Sequence, residues 1–347
     1  MADLAKRAEV SIATVSRALS GAPGVSETTR DRIRVLAKEV GYTVSPDASR
    51  LASGSHGRVA VLTPDVAAWF YAAMLDGIVT ALHRADVDVL LYEVKEERDR
   101  RRFFDELPAR RQVDALIIIA MPISDEERRR LDLMGVTVVM AGGTLGDHPH
   151  VRIDDVMAGR QATTHLILAG HERIGMINAT GRWRLSYTAP GDRFSGFSAA
   201  MEYAGLPVVD ELVASVDWGS MGGAEGIERL LSARHPPTAV VTFSDEMAFG
   251  ALRSLRRAAI PVPRAVSLVG IDDHPMADLV DLTTVHQPVT EQGRAAGRLA
   301  LDLLRGDSVD EEHVTLPTGL VIRGTTGAPP QSAPPAPAVV ADATAPR

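Results

Sequence analysis

From Arg58 onward, short apolar runs alternate along the chain with segments of helical periodicity. The runs are continuously apolar, as in strands buried on both faces of a parallel sheet. The helical segments include Phe70–Ala85 and a charged segment, Glu97–Pro108. The predicted strands are Val59–Thr63, Val87–Leu91, Val113–Ile119, Val136–Met140, Ile174–Ile177, Ala239–Phe243 and Val266–Ile271. This order predicts α/β architecture with doubly wound parallel sheets, which bind ligands at the carboxyl ends of their strands.

The segment Val10–Ser20, ahead of this body, is typical of a short helix that enters DNA. Ser11 is a suitable N-cap, and the apolar positions at helical spacing are Val15, Ala18 and Leu19. The opposite face carries Ile12, Ala13, Ser16 and Arg17. Small residues allow close approach to the major groove, and an arginine can bind a guanine edge with two hydrogen bonds. With the helical segment before it, this predicts a helix-turn-helix; the alternative is a helical hairpin in an ordinary core.

A third helix is predicted over Glu27–Val40, with Ser26 as its N-cap and Gly41 ending it. Its apolar positions are Ile33, Leu36, Ala37 and Val40. Three short helices in this span bury a small core, as DNA-binding heads do.

Composition narrows the class of protein. The 347 residues exceed one small domain and include no cysteine, which excludes disulfides and thiolate sites. No apolar run approaches the about 20 residues that span a bilayer, and no signal-peptide pattern opens the chain, so we expect a cytoplasmic protein without a membrane partner. The formal net charge is −8, but residues 1–56 hold eight Lys/Arg and six Asp/Glu. Such a mildly basic head needs a second copy for useful affinity.

Ordered motifs extend this pattern along the chain. They are Leu4–Ala8, Ser11–Ser20, Val25-Ser26, Gly41-Tyr42, Gly170–Ile174, Arg193–Phe197, Val269–Asp273, Leu282–Val285 and Val321–Gly324. In this order and spacing, the chain resembles the LacI/GalR family of bacterial transcription repressors over about residues 2 to 326.

The resemblance implies a helix-turn-helix domain at 1–44, a hinge helix or linker at 45–57, and a periplasmic-binding-protein-like core at 58–326. Lobe one is expected at about 58–156 and 284–314, and lobe two at about 157–283 and 315–326. The Pro- and Ala-rich tail, 327–347, is expected to be disordered.

The resemblance also implies the contacts to DNA. Ile12, Ala13 and Arg17 are expected to face base edges. Candidates for phosphate contacts are Thr14, Ser16, Ser26 and Tyr42. Leu51 is expected to enter the minor groove as a wedge from a hinge helix, whereas the residues alone are also consistent with a polar linker.

For the effector, the resemblance points to a site between the lobes. Its residues are Phe70, Tyr71, Arg193, Trp218, Ser244, Asp272 and Gln287. Aromatic faces and paired donors and acceptors suit a sugar or sugar derivative. The alternatives are plain core packing for each aromatic residue and a structural ion pair for Arg193 and Asp272.

Three departures from the family pattern bear on this site. Gly142-Gly143 replaces a common Asp-Arg pair, Ser244-Asp245 replaces Asn-Asp, and Trp69 replaces a common proline. They predict a pocket that is roomier, less hydrogen-bonding, or suited to a larger or more apolar ligand.

The sequence therefore predicts a ligand-responsive repressor that binds a palindromic operator as a homodimer, without cofactor or metal. A small-molecule receptor with an idle head is the alternative; the absence of a signal peptide and the complete helix-turn-helix argue against it. An enzyme is disfavoured because neither G-x-G-x-x-G after a strand nor a P-loop is present. The consecutive Asp272-Asp273-His274 are poorly placed to converge on one metal ion.

Overall fold

The computed structural model describes residues 1–20, 23–41, 56–180, 188–309 and 311–330. The predicted contacts of Tyr42 and Leu51, the hinge up to residue 55, and the tail from residue 331 lie outside these residues. No helix in the described ranges is long and apolar enough to cross a membrane.

The first 41 residues form a three-helix head with α1 Ala2–Arg7, α2 Ile12–Ser20 and α3 Glu27–Glu39. The N–H of Thr14 donates to Ser11 Oγ at 3.1 Å, which confirms the predicted cap of α2. Val15, Ala18 and Ile33 are fully buried between the helices, as predicted. Val40 was predicted on the apolar face but is 38% exposed, because α3 ends at Glu39 and Val40 is its C-cap.

The body consists of two α/β lobes, which confirms the predicted fold class. Its strands are β1 Arg58–Thr63, β2 Asp88–Glu93, β3 Ala115–Ile119, β4 Thr137–Ala141, β5 His150–Ile153, β6 Ile174–Thr180, β7 Val213–Asp217, β8 Ala239–Thr242, β9 Ser267–Asp272, β10 Thr283–His286, β11 His313–Leu316 and β12 Gly319–Val321. Its helices are α4 Trp69–His83, α5 Glu97–Glu106, α6 Asp125–Asp132, α7 Asp155–Leu168, α8 Thr188–Tyr203, α9 Ser220–Leu231, α10 Asp245–Arg257 and α11 Val289–Arg305. The charged helix α5 is shorter than predicted because Leu107 is left-handed (φ 44°) and precedes a proline.

Each lobe is built on a six-stranded sheet. The order in lobe one is β11-β5-β4-β3-β1-β2, and the order in lobe two is β12-β10-β9-β8-β6-β7. Within both sheets the described pairs are parallel, except for antiparallel β10 and β12. All five residues of β3 are buried, as its continuous apolar run predicts.

The chain crosses between the lobes three times: from β5 to α7, from β10 to α11, and from β11 to β12. The predicted boundaries at 284 and 315 are wrong by two to three residues, because Thr284–His286 pair with β9 in lobe two and Thr315–Leu316 pair with β5 in lobe one. Both strands run on until a proline, Pro288 or Pro317, which lacks the N–H that a ladder needs. The first crossing falls at Asp154, slightly before the predicted boundary at 156.

The beginning of the expected tail packs on lobe two. The N–H of Gly327 donates to Ser267 Oγ at 3.1 Å, and the Gly327 carbonyl is 2.9 Å from His171 Nε2. Residue 327 is therefore too early in the chain as the predicted start of the disordered tail.

Candidate ligand-binding and nucleic-acid sites

A cavity lies between the lobes at the carboxyl ends of the strands. It encloses about 960 Å³ of empty space, counting the part open to solvent. Its walls include all seven residues predicted for the effector site: Phe70, Tyr71, Arg193, Trp218, Ser244, Asp272 and Gln287. The sheets bring them together because each lies at or beyond a strand end or on a helix that packs there. Asp65, Asp155, Thr180 and Gln292 also line the cavity and were not predicted.

Arg193, on α8, is the central cation of this cavity and is 4% exposed. Its Nε donates to Asp155 Oδ1 at 2.8 Å, and its Nη1 donates to the Phe243 carbonyl. The guanidinium carbon lies 4.4 Å from the centre of the Phe243 ring. Asp272 is more distant, with Oδ1 4.0 Å from Nη1. The tight ion pair of Arg193 is therefore with Asp155, which the sequence analysis missed because Asp154-Asp155 resembles an ordinary helix start.

Asp272 ends β9 and is buried against the cavity in a strained backbone conformation, with φ at 139°. Its Oδ1 accepts a hydrogen bond from Gln287 Nε2 at 2.6 Å. Burial raises the pKa of Asp272 to about 8, although Arg193 opposes this rise, and the neighbouring carboxyl of Asp245 adds to it. An incoming hydrogen-bond donor can therefore change the charge of this group.

A second buried carboxyl, Asp245, lies behind the cavity wall. Thr284 Oγ1 donates to its Oδ1 at 2.7 Å, and the N–H of His274 donates to its Oδ2 at 2.8 Å. Burial raises the pKa of Asp245 to about 6. The preceding Ser244 caps α10 by accepting from the N–H of Met247, so its hydroxyl serves the helix as well as facing the cavity.

The aromatic residues divide between the lobes. Phe70 and Tyr71 meet edge to face on the lobe-one side, with ring centres 5.3 Å apart, and Trp218 lies on the lobe-two side. A Cβ added to Gly142 would lie 3.2 Å from Phe70 Cζ. The room predicted from Gly142 is thus occupied by Phe70 and its neighbours.

Trp69 was expected to change the size or polarity of the pocket, but it does not line the cavity. Its ring centre lies 4.7 Å from that of His274, and its backbone N–H donates to Glu246 Oε1 at 3.4 Å. Trp69 belongs to lobe one and the other two residues to lobe two, so these contacts join the lobes beside the cavity.

On the head, α2 presents the face predicted for DNA. Ile12 is 53% exposed, and Ala13, Ser16 and Arg17 are exposed as well. Thr14 is half-buried, and its hydroxyl is 2.9 Å from that of Ser11. The exposed Ser26 caps α3 by accepting from the N–H of Thr29 at 3.4 Å.

Comparison with known proteins gives matches to both parts of the chain. Residues 1–45 match a family described as bacterial regulatory proteins, lacI family, and residues 163–326 match a periplasmic binding protein-like domain. The transcriptional repressor CytR of Escherichia coli K12 is 33% identical over 337 residues, covering 95% of this chain and 97% of that protein.

Two solved structures are also similar. A complex of the transcriptional regulator CelR with cellobiose is 30% identical and has a TM-score of 0.72, covering 93% of this chain and 98% of that one. The lac repressor dimer bound to operator and the anti-inducer ONPF is 25% identical with a TM-score of 0.81, covering 94% and 98%.

Proposed function

The chain belongs to the LacI family of DNA-binding transcriptional repressors, which are not enzymes, and from this premise we propose that it is a ligand-responsive repressor. It binds a palindromic operator as a homodimer in the cytoplasm and holds a sugar or sugar derivative between its lobes. The bound small molecule controls the affinity for DNA.

The observation that carries the proposal is the convergence of the seven predicted residues on one cavity between the lobes. Arg193 and Gln287 supply donors, Asp155 and Asp272 supply acceptors, and aromatic rings line both sides. This combination suits a polyol, whose hydroxyls need donors and acceptors and whose C–H faces stack on rings. The similar CelR structure, solved with cellobiose, supports this class of ligand.

Two heads are needed for tight DNA binding because each carries little excess positive charge. The face of α2 offers Ile12, Ala13 and Arg17 to base edges, and Thr14, Ser16 and Ser26 to phosphates. Tyr42 adds a phosphate contact and Leu51 a minor-groove wedge. The similarity to the lac repressor dimer on its operator supports a dimeric arrangement.

A carboxylate links lobe one to the segment that leads to the head. Asp114 accepts hydrogen bonds from the N–H groups of His56 and Gly57, each at 2.7 Å. Movement of lobe one on ligand closure is therefore passed to the residues that precede β1. The distance between the two heads then changes. The gain in DNA affinity that comes from binding through both heads changes as a result.

The test is selection of the full-length protein against a random DNA duplex pool at near-physiological salt, followed by sequencing. We expect an enriched palindrome, and a dimer in sedimentation. A thermal-shift panel of mono- and disaccharides, including cellobiose, then identifies a ligand whose addition changes operator affinity. Failure to enrich any sequence would contradict the repressor assignment, and an unchanged affinity with a bound sugar would contradict the proposed control.

A further inference from the structure

A buried amide in the cavity wall has an acceptor without a donor. Gln292 lies in the first turn of α11, is 0% exposed and lines the cavity. Its Nε2 donates to Gln287 Oε1 at 3.1 Å. Within the part of the chain that the structure describes, its Oε1 has no hydrogen-bond partner. An unpaired buried carbonyl costs stability, so its retention calls for an explanation.

Asp272 determines the direction of the hydrogen bonds that lead to Gln292. When Asp272 is ionised it can only accept, so Gln287 then presents Nε2 to it, as the structure shows. The Oε1 of Gln287 then faces Gln292, which must present its own Nε2. When Asp272 is ionised, the hydrogen bonds therefore run from Gln292 to Gln287 and from Gln287 to Asp272. The Oε1 of Gln292 is the last acceptor of this series and receives no donor from it.

Packing alone does not call for a glutamine at this position. Val289, Ala296 and Leu299, on the same face of α11, belong to the apolar core of lobe one. The helix is also held tightly against α4, since a Cβ added to Gly293 would lie 2.1 Å from the carbonyl oxygen of Met74. An apolar residue would satisfy this core, and the tight packing keeps residue 292 beside the cavity.

We propose that Gln292 is a ligand-binding residue of the cleft and that its Oε1 accepts a hydrogen bond from a hydroxyl or N–H group of the effector. This rests on the proposed effector site and narrows its ligand. The effector presents a hydrogen-bond donor to lobe one, on the side where Phe70 and Tyr71 lie. On the opposite side, the cation Arg193 faces an acceptor of the same molecule.

The test compares the wild type with Gln292→Leu and with Gln112→Leu, which makes the same change at an exposed position. Binding of glucose, galactose, ribose, maltose and cellobiose is measured by calorimetry on the full chain at pH 8.5, above the pKa of about 8 of Asp272. We expect Gln292→Leu to weaken the tightest of these sugars about tenfold, the loss that follows removal of one buried hydrogen bond. Gln112→Leu is expected to bind like the wild type.

Singly deoxygenated forms of that sugar identify the donor. One of them is expected to bind the wild type about tenfold more weakly than the parent sugar, yet to bind Gln292→Leu as tightly as the parent does. A purely structural role would instead lower the melting temperature of Gln292→Leu and leave sugar affinity unchanged.

Equal affinity of the wild type and Gln292→Leu for the sugar would overturn this proposal and leave the repressor assignment intact. A wild type that binds none of the five sugars would overturn it as well, together with the sugar assignment. The operator selection would then decide separately whether the protein is a DNA-binding regulator.

Discussion

The ring of Trp69, at the start of α4 in lobe one, lies 4.7 Å from the imidazole of His274 in lobe two. The ring of Phe249 meets the same imidazole edge to face at 5.2 Å. Burial lowers the pKa of His274, which favours the uncharged ring in this aromatic setting. These ring contacts join the two lobes at the side of the cavity.

We therefore expect Trp69→Ala to shift the ligand-free protein toward an open cleft. Loss of one aromatic contact of about 1 kcal/mol lowers the closed fraction about fivefold relative to the open one. Small-angle X-ray scattering is expected to give a larger radius of gyration, and the sugar affinity is expected to fall. Tyr203→Ala removes an aromatic ring that is 86% exposed and serves as the control. An unchanged radius of gyration in Trp69→Ala would show that this contact does not hold the cleft.

Arg193→Ala is expected to abolish the effector response and to destabilise lobe two. The substitution leaves Asp155 and Asp272 without their cation, and removing one partner of a buried ion pair costs about 3–5 kcal/mol. Urea unfolding measures this loss, and operator binding is expected to persist at temperatures where the variant stays folded. Arg229→Ala breaks an exposed pair with Glu225 and is expected to change neither property. Loss of operator binding by a folded Arg193→Ala would assign Arg193 a structural role.

The buried carboxyls predict how stability depends on pH. The pKa of Asp272 rises to about 8 and that of Asp245 to about 6 in the folded protein, so the folded state binds more protons than the unfolded state above about pH 4. The stability that the two protonated carboxyls contribute is fully present below about pH 4. It is lost as the pH rises through the folded-state pKa values, about 6 for Asp245 and about 8 for Asp272.

Asp272→Asn mimics the neutral acid. Between pH 6 and 9 the urea midpoint of the wild type is expected to fall relative to this variant, whereas Asp302→Asn, where the side chain is 46% exposed, is expected to track the wild type. Parallel curves for the wild type and Asp272→Asn would refute the raised pKa.

The apolar pattern of the sequence predicted the lobes, whereas the cavity residues were predicted from the resemblance to the LacI/GalR family; one physical feature accounts for both. Continuous apolar runs define parallel strands, and residues that follow such strands meet at one edge of a sheet. Asp155 and Gln292 were not predicted, because their roles depend on which side chains face them across the packed lobes. Trp69 was assigned to the pocket for the same reason: its position in the chain does not reveal that α10 and His274 lie against it. The crossings were misplaced because the strands continue to the next proline.

Glu9→Gly is expected to stabilise the head. Glu9 lies in the turn between α1 and α2 with φ at 52°, a left-handed conformation that glycine adopts without the penalty of a side chain. The relief is about 1 kcal/mol and is measured by hydrogen exchange of the head amides in the full chain. Glu39→Gly places the same change at the last residue of α3, whose backbone is helical, and glycine there costs up to about 1 kcal/mol, so its effect has the opposite sign. Faster exchange in Glu9→Gly would contradict the strain in this turn.

Arg17→Ala tests the orientation of α2 on DNA. In the free head, Nε of Arg17 donates to the carbonyl of Ala13 at 3.3 Å, so the exposed side chain turns back along α2 toward Ala13. A guanidinium that binds a guanine edge discriminates one base pair by about 1–3 kcal/mol. Repeating the operator selection with Arg17→Ala is therefore expected to relax the preference at one position in each half-site. Arg34→Ala, on the exposed face of α3 beside Asp31, is expected to preserve the selected sequence. An unaltered sequence preference in Arg17→Ala would contradict a base contact by this arginine.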